Sequence, residues 1–494
     1  MNLLPQSIAH SFREPALHGR LVVMLAVLLL ALLAPLSFIG NLQTSLASYL
    51  LLSTIGALAL YGGVALFGRW GVEPSRRGVI WGALILRLAM IPMGPSLSDD
   101  VLRYVWDGRL LLHGVNPYHY VPADTALARY HDTLYQRQVY RTTHTIYPPG
   151  AELVFASCMG AAEFAGGDYR AGVIVWKLLV LIADIGAIVL LAGTMRRIGM
   201  SLRALLLYAW HPLLLVELAG QGHTDVFWVL AIAAGLYGYA AGRAGGGIPA
   251  IAFGAAMRLH PLTLIPMWAR HLRRREVMVG IAAAVPFLML LLPLLEPTAF
   301  ANFTGVLARF TNFYEFNGGF YYAVKGVLDH YHIKPSNRIA GGVGSALQAI
   351  GILLVWFWPV RRPALLVSRD ANLGAAEVAA GEDTARRNVA AERALLVRSL
   401  AWRALLVMTL QLALGAKVHV WYFSAPLVLL PLAGRRSLNA AWLWAALAGP
   451  FTYIVATGTV AQERMDVVAV EWSLFALLAV YGFFRYRGME EPGT

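Results

Sequence analysis

Charge is what this chain has least of. Asp, Glu, Lys and Arg make up only 14% of its 494 residues, where a soluble globular domain carries about 25%. Cysteine is nearly absent: the single Cys158 excludes an intramolecular disulfide and any cysteine-based metal site. No Gly-rich loop of the P-loop type occurs, and no His, Cys, Asp and Glu spacing reads as a metal site. The sequence thus points to no particular cofactor and leaves a divalent metal open, since an acid pair could bind one. No internal repeat is visible, which weakens a transporter built from repeated halves. Apolar residues are abundant instead, at 58%. They collect in runs near span length at 21–39, 46–67, 78–94, 172–194, 201–219, 225–241, 277–295, 340–360, 399–416, 419–434, 438–457 and 467–484. Two more, 147–165 and 248–268, are interrupted by proline. The expectation is an all-α, polytopic membrane protein of about 12–14 transmembrane or re-entrant helices.

The net charge of +13 does not point to nucleic acid, because the basic residues sit in short loops between apolar runs. The first run, Leu21 to Ile39, is too long for the core of a signal peptide and reads as a retained span. Arg69, Arg76 and Arg77, the cluster Arg270 with Arg273 to Arg275, Arg361 and Arg362, Arg435 and Arg436, and the tail Arg485 to Arg487 mark the cytoplasmic side. The loops 96–146, 300–339 and 416–420 then share the outer side. Arg196, Arg197 and Arg203 join the cytoplasmic set only if the two proline-interrupted segments fail to cross, which also brings Gln221 to Asp225 to the outer face. The stretch 361–398, rich in Ala, Arg and Glu, reads as a partly helical or disordered cytoplasmic loop. The chain divides into additional spans at 1–77, a membrane core at 78–360 containing the outer loop 96–146, the charged loop 361–398, and closing spans at 399–494.

Chemistry concentrates where charge meets the membrane. Residues 98–107 read Ser-Asp-Asp-Val-Leu-Arg-Tyr-Val-Trp-Asp at the lip of an apolar run, and acids at that depth are functional suspects. As a helix over 99–112, this segment places Asp100, Arg103, Tyr104 and Asp107 on one face and an apolar set on the rest, an amphipathic juxtamembrane helix. The plainer reading is a pair of acids starting a surface helix, with Arg103 and Asp107 as an i,i+4 pair. Gly114-Val-Asn-Pro-Tyr118 signals a turn, and Tyr147-Pro-Pro-Gly150 starts the next helix. Glu217, His223 and Asp225 are further candidates, as are Lys417, His419, Trp421 and Tyr422. Two cationic donors beside aromatic residues fit a phosphate site; interfacial anchoring by Trp, Tyr and Lys is the alternative. Arg258 and His260, beside Pro261, pose the same choice.

These residues resemble a family. Ser98-Asp-Asp-Val-Leu-Arg-Tyr-Val-Trp-Asp-Gly-Arg109, Gly114-Val-Asn-Pro-Tyr118 and Tyr147-Pro-Pro149 are similar to the first outer loop of polyprenyl-phosphate-sugar-dependent glycosyltransferases of the GT-C fold, closest to the bacterial mannosyltransferases that use polyprenyl-phosphate mannose. Trp210-His-Pro212 with Glu217 and Gly222-His-Thr-Asp225 resembles a second stretch of that family, with His211 where Asn is usual. Arg258-Leu-His-Pro261 resembles its Lys/Arg-x-x-Pro element, and His419-Val-Trp-Tyr422 its His-x-Trp-Tyr element. The similarity runs from about 78 to 434.

The resemblance implies an inverting transfer of a hexose, mannose by the closest match, from a polyprenyl phosphate to a hydroxyl of a lipid or glycan acceptor. It implies the outer face of a bacterial cytoplasmic membrane. The catalytic Asp maps onto Asp100, with Asp99 as the neighbour that shares or replaces the role. Lys417 and His419, with Arg103 and Arg141 as further candidates, would hold the donor phosphate. Tyr104, Asp107, Tyr147, Glu217, His223, Asp225 and Tyr422 would contact substrate. The competing class is a membrane transporter or lipid flippase, for which acids deep within spans would be expected.

Overall fold

Lipid offers no hydrogen bonds to a backbone, so an apolar run at membrane depth must close its own, and these runs do so as helices. A computed structural model describes residues 15–312, 314–358, 375–434, 438–456 and 462–486. The arginines at 361–362 and 435–436 and the Arg487 end of the tail lie outside the described residues. The protein is all-α, apart from a two-residue antiparallel ribbon pairing Val455–Ala456 with Gln462–Glu463. Among the described residues six helices are long and apolar enough to cross a membrane: Ala16–Phe38, Leu46–Trp70, Tyr169–Arg197, Ser336–Phe357, Asn388–Ala413 and Met465–Tyr486. The pair Leu202–Ala209 and Pro212–Gly220, bent by 45°, is apolar and long enough together to form either a broken span or a re-entrant loop.

The remaining apolar runs form shorter helices. The run at 78–94 is a 13-residue helix, Arg76–Leu88, followed by turns, and that at 277–295 is Arg274–Met289 with Pro286 inside it. The stretch 147–165 departs from expectation, for it is not broken. Pro148 and Pro149 stand at the start of a continuous 16-residue helix, Pro149–Phe164, where a missing N–H costs nothing. The stretch 248–268 is broken. Its first helix, Gly247–Met257, stops at Arg258, whose backbone is extended, and the chain resumes as a 3₁₀ turn at His260–Leu264 around Pro261. From 375 to 413 the chain is one helix that runs into the fifth span, so the charged stretch is helical from residue 375 onward.

The bend at Trp210-His211-Pro212 has a local cause. Pro212 cannot donate a backbone hydrogen bond, and His211 caps the new start by accepting the N–H of Leu213 on Nδ1 at 3.2 Å. An Asn would supply the same acceptor. The other ring nitrogen lies 2.7 Å from the Tyr61 hydroxyl, which donates to the Leu443 carbonyl. Beyond the bend, Leu215–Gly220 forms a π-turn carrying Glu217, a distortion that recurs at functional sites.

Buried charges pin the approach to the Asp pair. Lys177, inside the Tyr169–Arg197 span, donates to the carbonyls of Ile91 at 2.7 Å and Met93 at 2.8 Å. Gln221 accepts the N–H groups of Ser96 and Leu97, each at 3.0 Å. Deeper in the bundle Arg87 and Asp184 pair at 2.7 Å, and Tyr208 donates to the second Asp184 oxygen at 2.6 Å.

The helix that follows, Asp100–Leu112, packs on Pro149–Phe164. Gly108 permits this approach, since a Cβ there would sit 2.5 Å from the Phe155 carbonyl. The expected face of Asp100, Arg103, Tyr104 and Asp107 turns inward rather than to bulk water: Tyr104 and Asp107 are buried, as are Val101, Leu102, Val105 and Trp106. The turn at Gly114 has a left-handed φ of 76°. The chain from there to 148 returns over the helix and closes above it.

Candidate active site

Several breaks in helical structure open onto one cavity of about 860 Å³. Its wall combines the segment 95–100, the returning loop 137–148, the Arg258–His260 break, Leu307 and Phe310, Phe316, and the segment 414–422. Two of these loops are tied together. The Phe316 N–H donates to Ala416 and the Val418 N–H to Phe316, a single parallel bridge that holds Lys417 and His419 in place.

Asp100 opens its helix, and the Ser98 hydroxyl accepts its backbone N–H at 3.2 Å. Its carboxylate lies 3.5 Å from Nδ1 of His223, and Nε2 of His223 lies 3.4 Å from Glu217. Those separations are ion-pair distances, longer than formed hydrogen bonds. Glu217 is fully buried and accepts from the Tyr453 hydroxyl at 3.1 Å and the Tyr49 hydroxyl at 3.4 Å. His223 is 1% exposed and Asp100 28%, so Asp100 is the member of this acid–His–acid series that reaches the cavity.

The imidazole is held by stacking. His223 lies on Trp421 with centroids 3.9 Å apart, Trp421 on His419 at 4.2 Å, and His419 on Phe316 at 4.8 Å. A column of four rings thus joins the bottom of the cavity to the bridge between the two loops. Lys417 sets its ammonium 3.9 Å from the centre of the Phe310 ring, a cation–π contact. No carboxylate among the described residues lies within salt-bridge distance of it.

Electrostatics separate these groups. Burial works to raise the Asp100 value, but His223, His419 and Lys417 outweigh it and hold the carboxyl below its ordinary range. Burial works against charge on His223, but the two flanking carboxylates overcome it and raise the imidazole to about 9. Lys417 is lowered to about 8, first by burial. His419 is pushed well below the usual imidazole value by burial and then by Lys417. At neutral pH the pair expected to be two cations is therefore one ammonium and one neutral N–H donor.

The other sequence candidates divide into two groups. Tyr147, Tyr422, Asp99 and Arg103 line the cavity. Asp99 is engaged, accepting the Val139 N–H at 2.8 Å and so fixing the returning loop. Arg103 spends its charge on both oxygens of Asp107, each at 2.8 Å, and on the Thr143 carbonyl. Arg141 is not part of the wall; its guanidinium bonds the Gln138 and Gln136 carbonyls and lies over Tyr135. Tyr104, Asp107, Glu217, His223 and Asp225 stand behind the wall, all buried. Tyr104 stacks on Phe155 at 4.7 Å, and Asp225 pairs with Arg258 at 2.9 Å. Phe316 and Lys177 were not singled out from sequence, and Gln221 entered only as the start of the stretch Gln221 to Asp225. Lys177 had a signal, a lone charge inside a long apolar run; Phe316 had none.

Among the described residues no group of three or more His, Cys, Asp or Glu side chains is placed to hold a metal ion. A cavity lined by the Asp100 carboxylate, with Asp99 beside it tied to Val139, and by one unpaired ammonium and one neutral imidazole can accept a proton and hold an anion. A family model described as "Alpha-(1->6)-mannopyranosyltransferase, N-terminal domain" matches residues 16–274, slightly more than half of the chain. The match includes Asp100, Glu217, His223 and Arg258 and ends before Lys417 and His419. No curated protein matches the chain.

Proposed function

The chain belongs to the alpha-(1->6)-mannopyranosyltransferase family, and from that premise we propose that it moves mannose from a polyprenyl-phosphate donor to a hydroxyl of a lipid or glycan acceptor, with Asp100 as general base. The observation that carries this reading is the exposure of Asp100 alone, out of the Asp100–His223–Glu217 series, to a cavity that also presents Lys417 and His419.

The chemistry follows from the charges. A phosphate leaving group departs as a stable anion and needs no strong acid, so one carboxylate suffices to take the acceptor proton. As the acceptor oxygen bonds to the anomeric carbon, the bond from that carbon to the phosphate oxygen breaks, and the proton goes to Asp100. This single displacement inverts the centre, so an α-mannoside requires a β-linked donor. The family description implies a primary 6-hydroxyl as the nucleophile. Lys417 supplies charge and His419 an N–H to the departing phosphate. The protonated His223, shared between two carboxylates, keeps Asp100 ionised at neutral pH, the state a base needs. Leu307, Phe310 and Leu414 flank this region and offer an apolar path for the prenyl chain. The distribution of basic loops supports an outer-face site in a bacterial cytoplasmic membrane.

The test is incubation of the purified protein with synthetic β-linked polyprenyl-phosphate mannose and mannoside acceptors, read by mass spectrometry and by NMR of the new linkage. One added hexose, α-linked at the 6-position, is expected. Transfer from nucleotide-activated mannose, with none from the polyprenyl phosphate, would reject the donor assignment.

A further inference from the structure

Away from the candidate active site lies a second cavity of about 420 Å³, lined by Arg76, Val189, Leu190, Gly193, Arg196, Arg197 and Tyr237. The two cavities share no lining residue. Arg196 and Arg197 are the last residues of the Tyr169–Arg197 span, and Arg76 opens the Arg76–Leu88 helix. The recess therefore sits at the end of a membrane crossing, with aliphatic Val189 and Leu190 two turns back along the same helix.

Its charge is uncompensated. Among the described residues none of the three arginines has a carboxylate within salt-bridge distance. Glu73, the nearest acid in sequence, is taken by Arg203 at 3.1 Å and by Ser201. Arg197 is held in place, its guanidinium 4.6 Å from the centre of the Tyr237 ring. Three guanidinium groups around a recess with no acid in its wall, beside an apolar helix face, match one ligand chemistry. We propose that this recess binds the phosphate of an anionic membrane lipid, headgroup among Arg76, Arg196 and Arg197 and the first acyl carbons against Val189 and Leu190. Guanidinium forks suit phosphate oxygens, and basic pockets between spans take lipid headgroups. The assignment does not depend on the reaction proposed above.

The experiment uses the full chain in neutral detergent. A short-chain phosphatidylglycerol, a short-chain phosphatidylcholine and inorganic phosphate are titrated separately, with the melting temperature and native mass spectrometry as readouts. The expectation is binding and stabilisation by phosphatidylglycerol only. Affinity should fall about fivefold for each arginine removed in Arg76→Gln and Arg196→Gln. A lipid-free melting temperature equal to that of the wild type shows that these variants are folded, and Arg196→Lys should recover part of the loss. Equal response to phosphatidylcholine, an equal shift from inorganic phosphate, or unchanged phosphatidylglycerol binding in the double variant would each overturn the lipid site.

Discussion

Two of the buried-charge clusters within this bundle are built differently. Arg87 and Asp184 meet at 2.7 Å with exposures of 0% and 1%. Tyr208 and the Ala209 carbonyl take up further bonding capacity on the two partners. The Asp100–His223–Glu217 series is looser, with contacts of 3.5 and 3.4 Å, and one end is open to a cavity. Charge at membrane depth is expensive in both places. In the first cluster most of the cost is offset inside the protein, and although Arg87 Nη2 has no hydrogen-bond partner, Arg87 is buried and lines neither cavity. In the second, Asp100 keeps bonding capacity facing the cavity, and Lys417 keeps a charge with no carboxylate partner among the described residues. Depth alone does not mark a functional acid. Unused valence facing a space does.

The sharpest way to break the comparison is to neutralise one acid in each cluster. Asp100→Asn should lower kcat for mannosyl transfer by about 10²- to 10⁴-fold, the usual worth of a general base, while the melting temperature in detergent changes little. Asp184→Asn should do the reverse. It leaves Arg87 buried without its partner, a loss of about 3–5 kcal/mol, visible as a lower melting temperature and poor yield. The double replacement Arg87→Met with Asp184→Leu should recover much of that stability, because apolar pairs often substitute for buried ion pairs. A stable Asp184→Asn protein without activity would erase the distinction.

Lys417 tests the open cluster from its other end. Lys417→Gln should raise the KM for the polyprenyl-phosphate donor by about tenfold or more, the range of a charge-assisted hydrogen bond, with a smaller effect on the KM for acceptor. An unchanged donor KM would remove Lys417 from the proposed phosphate site.

The same contrast explains what could be read in advance. Asp100 was legible because the acid pair stands at the edge of an apolar run, and the helix from 100 to 112 was legible from its periodicity. The span count was less so, because run length does not report where a helix is cut. The turns after Leu88, the break at Arg258 and the end of the helix at Met289 each shorten an apolar run in ways that composition averages over. Side-chain partnerships were the least legible. Arg103 reads as a phosphate ligand until the Asp107 beside it is seen to consume its charge, although that i,i+4 spacing was itself visible. Glu217, His223 and Asp225 read as substrate contacts from their residue types. Their burial behind the wall goes with the π-turn that carries Glu217 and with Trp421, which reaches His223 from far along the chain.

Glu217 therefore offers the subtlest test, because it never touches the cavity. Two carboxylates hold His223 up near 9 against burial, and the resulting cation helps hold Asp100 down. Glu217→Gln removes one carboxylate, so the His223 value falls. The imidazolium stays charged through the range where Asp100 titrates, but on the alkaline side its proton is lost at lower pH than in the wild type. The alkaline limb of the kcat/KM profile should therefore move to lower pH, with the maximal rate less affected. Stability should respond in the same part of the range. A histidine raised in the folded state stabilises fully below its unfolded value of about 6.5, and that contribution disappears as pH rises through about 9. The wild-type melting temperature should thus decline between those limits, and the variant's decline should be shallower. A Glu217→Gln enzyme with a reduced rate but an unmoved alkaline limb would make Glu217 a packing residue and leave His223 held up by Asp100 alone.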